Sequence, residues 1–265
     1  MTSVAGRTSV VTGGASGIGA ALSAALIDRG GRVLIADRDA EAARAGAEAL
    51  GARWSACDVA ELEEMQRLHN TAHEVLGGAD LVVLNAGVGS FGQIADMTPS
   101  DWEWMLGVNL WGVINGVSAF LPTMLASGSP GHFVITGSMA SLVPSPGLGA
   151  YAVAKSGVLA LGEALSAEMA AQGAPIGVTV AMPGPTRTNI SSSQRTRADR
   201  GGLVDRELEE TGFEWIRWRS PEDVAGRILD AVEADQFYAA THPEMLHRFD
   251  DRVARIRAAF AEAAE

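Results

Sequence analysis

Ser9-Val10-Val11-Thr12-Gly13-Gly14-Ala15-Ser16-Gly17-Ile18-Gly19 is the stretch that decides the fold. Residues 9–12 read as a short strand, and residues from about 18 to 29 read as a helix. Glycines fill the turn between them. Gly13 lets the chain turn sharply; Gly17 and Gly19 permit close approach of a phosphate and close helix–strand packing. The helix N-terminus, reached through Ser16 and Ile18, offers unpaired N–H groups and a partial positive charge to a pyrophosphate. A glycine-rich loop alone is a weak signal, since a flexible turn has the same composition. Its place at the first strand-to-helix turn makes it strong.

Outward from this turn the same alternation repeats. Strand signals recur at 32–36, 53–56, 80–84, 132–136 and 176–181. Helical patterns occupy 39–50, 61–76, 100–126 and 152–172. This βαβα order predicts an α/β fold, a doubly wound parallel sheet (Rossmann-like) with helices on both faces. No repeat or linker interrupts it, so a single domain over 1–265 is expected. Residues 189–212 are rich in Ser, Arg and Gly with weak periodicity, and read as a mobile loop over a substrate site. The tail, 243–265, reads as a helix with a narrow apolar stripe of Leu246, Phe249, Val253, Ile256 and Phe260. The stripe is expected to pack on its own domain; a subunit contact or a substrate wall is the alternative.

Composition narrows the function classes. Hydrophobic residues make up 47% and charged residues 20%, enough for one sizeable core. A net charge of −12 argues against a nucleic-acid partner. The single cysteine, Cys57, excludes an internal disulfide and suits a reducing compartment. With no apolar run near the roughly 18 residues of a membrane span and no signal-peptide pattern, no membrane partner and a cytoplasmic location are expected. No metal site is expected. The chain holds 19 arginines and one lysine, Lys155. Arg cannot replace Lys where a compact ammonium of tunable pKa is required. Tyr151 stands four positions before Lys155, hence on the same helix face.

The spacing Gly13-x-x-x-Gly17-x-Gly19 resembles that of the short-chain dehydrogenase/reductase family, in its compact single-domain branch. The resemblance runs to at least Thr188 and implies a nicotinamide-dependent oxidoreductase. Asp37 closes the second strand, where a carboxylate accepts bonds from the adenosine ribose hydroxyls and repels a 2′-phosphate, favouring NAD. Arg38 is the opposing feature, because a guanidinium there could hold that phosphate, so NADP stays open. Asp58 and Val59 look like the family pair that contacts adenine; Asp58 would also serve as a plain turn residue. Asn85-Ala86-Gly87 matches a segment that approaches the cofactor ribose, although Leu84 stands where the family usually has a second Asn.

The resemblance gives the reacting centre as Ser138, Tyr151 and Lys155, with Asn109 in support. Tyr151 would move the hydroxyl proton of the substrate. Free tyrosine has a pKa near 10, and a neighbouring ammonium is expected to lower it. Lys155 would also bond the nicotinamide ribose. Ser138 would orient the substrate oxygen, and Asn109 would distort its helix and hold a water in a relay from Lys155. Pro183, Gly184, Thr186 and Thr188 match the segment that binds the carboxamide.

The expected partner is a small secondary alcohol or ketone, in a homotetramer or homodimer formed through the 100–126 and 152–172 helices. Pocket candidates are 139–148, Thr188, Asn189, Phe213, Trp215 and Trp218. Those aromatics, with the 101–131 stretch, are similar to family members acting on aryl or bulky secondary alcohols; lid packing explains them equally. Phe91, Trp102, Trp104 and Trp111 are further candidates, alternatively core or subunit-contact residues. Arg195, Arg197 and Arg200 could attract an anion or simply be solvated. Two other readings stay open: an NADP-dependent ketoreductase, and a nicotinamide-sensing protein without turnover.

Overall fold

Seven strands form the sheet: β1 (Thr8–Thr12), β2 (Arg32–Asp37), β3 (Arg53–Ala56), β4 (Leu81–Leu84), β5 (Gly131–Thr136), β6 (Ile176–Met182) and β7 (Tyr238–Ala240). Their order is β3-β2-β1-β4-β5-β6-β7, and every neighbouring pair is parallel. The computed structural model describes residues 3–197, 201–206 and 216–262. Arg200, Phe213 and Trp215 lie outside the described residues.

A parallel sheet is covered on both faces, so its strands carry apolar side chains in both directions. Val10, Val82 and Phe133 face a core shared with α3 (Leu62–Leu76), α5 (Gly112–Ser127) and α6 (Gly149–Gln172). Val11, Val83 and Val134 face α1 (Gly17–Asp28), α2 (Ala40–Leu50) and α7 (Pro221–Glu233). The chain reverses its winding between β1 and β4. In a doubly wound sheet that reversal opens a crevice at the strand C-terminal ends.

Several elements depart from the sequence expectation. β7 and α7 were not expected. β7 has three residues, with Tyr238 and Ala240 exposed, so it carries little hydrophobic signal. The long helix at 100–126 is two helices, α4 (Pro99–Leu106) and α5, joined by a π-helical turn, Gly107–Trp111. Together Pro99–Ser127 is long and apolar enough by length and composition to cross a membrane, contrary to expectation. In this fold Val113, Val117 and Phe120 of α5 are buried against the sheet and α3. Burying a side chain such as Phe120 contributes about 2 kcal/mol.

The 189–212 loop has more structure than its composition predicts. Asn189–Thr196 is a 3-10 segment, kinked at Ser192. Beyond it the Arg197 guanidinium pairs with Asp101 on α4, both side chains almost fully buried. Asp101 also closes a capping box with Thr98 and accepts the Gly202 N–H at 2.9 Å. Burial acts to raise the Asp101 pKa, but the bonds from Arg197, Thr98 and Gly202 hold it at about 2. Arg197 is therefore a structural cation and not an attractor of anions.

The terminal helix α8 (Leu246–Glu262) does not pack as expected. None of its residues is buried, and Leu246, Ile256 and Phe260 are 58%, 47% and 75% exposed. Arg252 on this helix donates to the carbonyls of Leu142 (2.7 Å) and Ser141 (3.3 Å).

Candidate active site

A cavity of about 560 Å³ opens at the strand C-terminal ends, across the winding reversal. Every predicted catalytic and cofactor-binding residue borders it except Gly19 and Asn109, which stand just behind its wall. At Gly13 the backbone has φ +61°, and a Cβ would lie 2.8 Å from the Ala86 Cα. A Cβ on Gly19 would overlap the Gly13 carbonyl. Glycine is therefore required by space as well as by conformation. No side chain caps the N-terminus of α1, and Ser16, Gly17 and Ile18 face the cavity. Uncapped first-turn N–H groups are donors without intrahelical acceptors. With the helix dipole they fit a pyrophosphate.

Asp37 closes β2 beside this turn. Its Oδ2 accepts the Ala15 N–H at 3.2 Å and its Oδ1 the Asp39 N–H at 3.1 Å. Burial raises its pKa, and these bonds oppose the rise. Arg38 leans across to Asp58, with Nε 3.4 Å from Oδ2. Asp58 also accepts the Ala60 N–H at 3.1 Å, so the turn role and the cavity position coexist.

Asn85 ties the strand ends together. Its Nδ2 donates to the Thr12 carbonyl at 3.2 Å, and its Oδ1 accepts from the Thr136 hydroxyl at 3.3 Å. Thr12 was missed by sequence reading: its Oγ1 accepts both the Asn85 and Ala86 N–H groups. At Leu84, where the family usually has Asn, the side chain is buried against Gly116, and a Cβ on Gly116 would overlap it. The departure is thus accommodated by packing.

Asn109 is fully buried in the π-helical turn, as the expected helix distortion requires. Its Nδ2 donates to Val88 O (2.9 Å) and Met105 O (3.0 Å), and its Oδ1 accepts the Val88 N–H (3.2 Å). Through these bonds it fixes the Gly87–Val88 backbone that borders the cavity.

Ser138 follows β5, while Tyr151 and Lys155 lie on the first turns of α6. The Lys155 side chain is buried and donates from Nζ to the Thr136 carbonyl at 2.8 Å. Its Nζ stands 5.8 Å from the Tyr151 ring centroid. With the Thr136 carbonyl as its acceptor among the described residues, the ammonium keeps donor capacity at the cavity wall, which suits ribose hydroxyls. The Ser138 Oγ accepts the Ala140 N–H at 3.1 Å. Ser141, a residue sequence reading did not single out, donates to the Lys155 carbonyl at 2.8 Å and so braces the helix.

Burial pushes the Tyr151 pKa above the ordinary value, and the neighbouring Ser138 hydroxyl opposes that only in part. Burial also brings Lys155 down to about 8. Within the protein's own atoms, desolvation outweighs the attraction between phenolate and ammonium.

The other end of the cavity is apolar. Phe91, Trp104, Val143, Leu148, Ile190 and Trp218 border it, with Ile216 and Met245. Trp102 does not; it packs in a small satellite core with Met105. Trp111 is 55% exposed, away from the cavity. Arg195 reaches the rim but donates to the Ser192 carbonyl at 2.6 Å. Ile190, Ile216 and Met245 had no sequence signal, because their positions depend on long-range packing.

A family model described as short chain dehydrogenase matches residues 7–199. A "C alpha-dehydrogenase" from Sphingobium sp. is 34% identical over 250 residues, covering 90% of this chain and 81% of the relative. A "1-deoxy-11-beta-hydroxypentalenate dehydrogenase" from Streptomyces exfoliatus is 35% identical, covering 93% and 86%. Among solved structures, a short-chain dehydrogenase/reductase from Burkholderia phymatum in complex with NAD superposes with a TM-score of 0.92 at 30% identity, covering 97% and 96%.

Proposed function

The chain belongs to the short-chain dehydrogenase family of oxidoreductases, and from that premise we propose that it interconverts a bulky secondary alcohol and its ketone with NAD. The observation that carries this reading is the sharing of one cavity by Ser138, Tyr151 and Lys155 with the uncapped α1 N-terminus and Asp37. The nicotinamide cofactor supplies hydride transfer at its C4 when bound. Gly13, Ser16, Gly17 and Ile18 would hold the pyrophosphate, with Gly19 packed beneath them. Asp37 would accept the adenosine ribose hydroxyls, while Asp58 and Val59 face the adenine. Asn85, Ala86 and Gly87 approach the ribose near Lys155, and Pro183, Gly184, Thr186 and Thr188 border the carboxamide end.

Tyr151 takes the hydroxyl proton from the alcohol oxygen, or returns it to the carbonyl oxygen in reduction. Ser138 orients that oxygen beside Tyr151, with which it shares the cavity wall. Burial disfavours the Tyr151 phenolate, and the Lys155 ammonium beside its ring favours it. Lys155 keeps its proton below about pH 8 and holds ribose hydroxyls. Asn109 supports this by fixing the Gly87–Val88 backbone.

NAD is favoured over NADP by the Asp37 carboxylate and by the engagement of Arg38 with Asp58. The Burkholderia relative's NAD complex supports the same choice. The apolar walls from Phe91 to Trp218 favour a bulky or aryl substrate. The exposed Trp111 and Val153, on the helices expected at a subunit interface, support a homo-oligomer. The test is a panel of bulky secondary alcohols and ketones, run with both cofactors and followed by NADH or NADPH absorbance. Turnover with NAD is expected; faster turnover with NADP at matched concentrations overturns the cofactor assignment, and cofactor binding without turnover overturns the enzyme.

A further inference from the structure

β7 delivers Thr241 and His242 beneath the Pro183–Thr188 segment, and both are almost fully buried. The His242 Nδ1 lies 3.0 Å from the Gly184 amide nitrogen, and its Nε2 lies 3.0 Å from the Pro185 carbonyl oxygen. A peptide N–H can only donate, and a carbonyl can only accept. Nδ1 is therefore the acceptor and Nε2 carries the hydrogen, so His242 is held as one neutral tautomer. The Thr241 hydroxyl lies 2.7 Å from Nδ1 and donates to the Met182 carbonyl at 3.4 Å.

The fit is mutual. A Cβ on Gly184 would lie 2.6 Å from the His242 Cγ, so the ring occupies the space a side chain would need. Proline has no N–H, which leaves the Gly184 amide as the donor of the Pro183-Gly184-Pro185 run, and His242 takes it. The Pro185 carbonyl also accepts the Arg219 N–H at 3.2 Å, and Arg219 O accepts the Arg187 N–H at 2.9 Å. The segment is thus gripped on two sides, and its free edge borders the cavity.

We propose that His242 is a positioning residue for the cofactor, its neutral imidazole fixing the Pro183–Thr188 backbone that meets the nicotinamide carboxamide. This rests on the reading of the cavity as a nicotinamide site. A proton added at Nδ1 would take away the acceptor that the Gly184 N–H uses, with the Thr241 hydroxyl oxygen as its new partner, and the segment would lose that bond. The charged groups around the ring are Glu244 beside it and Arg219 and Arg227 from the α7 side, with Asp223 paired to both arginines. Burial lowers the His242 pKa, so the neutral form is the resting one at neutral pH.

The test measures NAD affinity by quenching of tryptophan fluorescence, alongside steady-state KM and melting temperature, from pH 7.5 down to about 5. His242→Leu removes both ring bonds, whereas His242→Asn keeps an acceptor near the Nδ1 position and cannot titrate. The expected result is an NAD dissociation constant about tenfold weaker in His242→Leu at pH 7.5, largely restored in His242→Asn. The wild type should lose affinity in acid more steeply than His242→Asn. That comparison cancels the titration of Asp37, which both proteins share. Equal affinities at pH 7.5 in folded wild type and His242→Leu overturn the proposal, as do superimposable pH profiles of wild type and His242→Asn. If the wild type binds no NAD at any pH, the reading of the cavity itself fails instead.

Discussion

The two ends of the cavity are built by different means. The cofactor end is made of strand C-termini, a glycine turn and an uncapped helix, and backbone groups form much of its surface. The substrate end is made of side chains brought from distant places: Phe91 before α4, Trp104 on α4, Ile190 after β6, and Trp218 before α7. It is held closed by tethers such as Arg197 to Asp101 and the backbone pair of Phe91 and Val204. A backbone site tolerates most changes outside its glycines. A tethered site depends on a few pairs, so single substitutions should act on one end and spare the other.

Apart from loss of the Tyr151 hydroxyl itself, the largest expected effect falls where the two ends meet. Lys155 is buried and donates to Thr136 O, where a planar guanidinium fork cannot reproduce the geometry of a compact ammonium. Lys155→Arg is expected to lower kcat by about 10²–10³-fold in the NADH assay although it keeps the charge. Near-normal rates would show that charge alone suffices there.

The comparison is broken most directly at the tether. Asp101→Asn leaves Arg197 as a buried cation without its counter-charge, a loss of about 3 kcal/mol. Substrate KM should rise and proteolysis near residue 197 should quicken, while the NAD dissociation constant stays within about twofold. An equal loss of NAD binding would mean that the two ends are not separable.

Acid sharpens the same contrast. Burial in β5 lowers the His132 pKa from its ordinary 6.5 to about 4. The unfolded chain therefore takes up this proton first. The stability that His132 contributes is whole above pH 6.5 and is lost as pH falls through 4, on the order of 2–3 kcal/mol. The Asp101 carboxylate, at about 2, loses its contribution only between its ordinary 3.8 and 2. Denaturant midpoints should thus fall between pH 6.5 and 4 while the Asp101 tether is intact, and His132→Asn should flatten that fall.

The smallest effect is expected at the adenosine end. Asp37→Asn removes the charge that repels a 2′-phosphate and should shift the NADP-to-NAD preference by about tenfold, near 1.4 kcal/mol. An unchanged ratio of kcat/KM values would remove Asp37 from the account of cofactor choice.

Legibility in the sequence followed the same division. Thr12 to Gly19 announces a strand, a turn and a helix within eight residues, and Asp37 stands at a fixed distance, so the cofactor end could be read locally. β7 could not, because only Ala239 of its three residues is buried. α7 carried a legible start, with Ser220 accepting the Asp223 N–H and Pro221 following, yet the tryptophans and arginines before it drew the eye to a loop. The α8 stripe has helical spacing, but spacing cannot say what covers it. Roles that depend on contacts across the chain, such as those of Arg197 and His242, have no local pattern. Tyr151 shows the same limit: its adjacency to Lys155 on a helix is visible in sequence, and its desolvation is not.

The most direct test is Tyr151→Phe, assayed for NADH formation from a secondary alcohol that the wild type oxidises, with NAD affinity measured on the same samples. Removing the hydroxyl that moves the proton should lower kcat by about 10²–10⁴-fold, with NAD affinity within about twofold of the wild type. Full turnover in Tyr151→Phe would contradict the account.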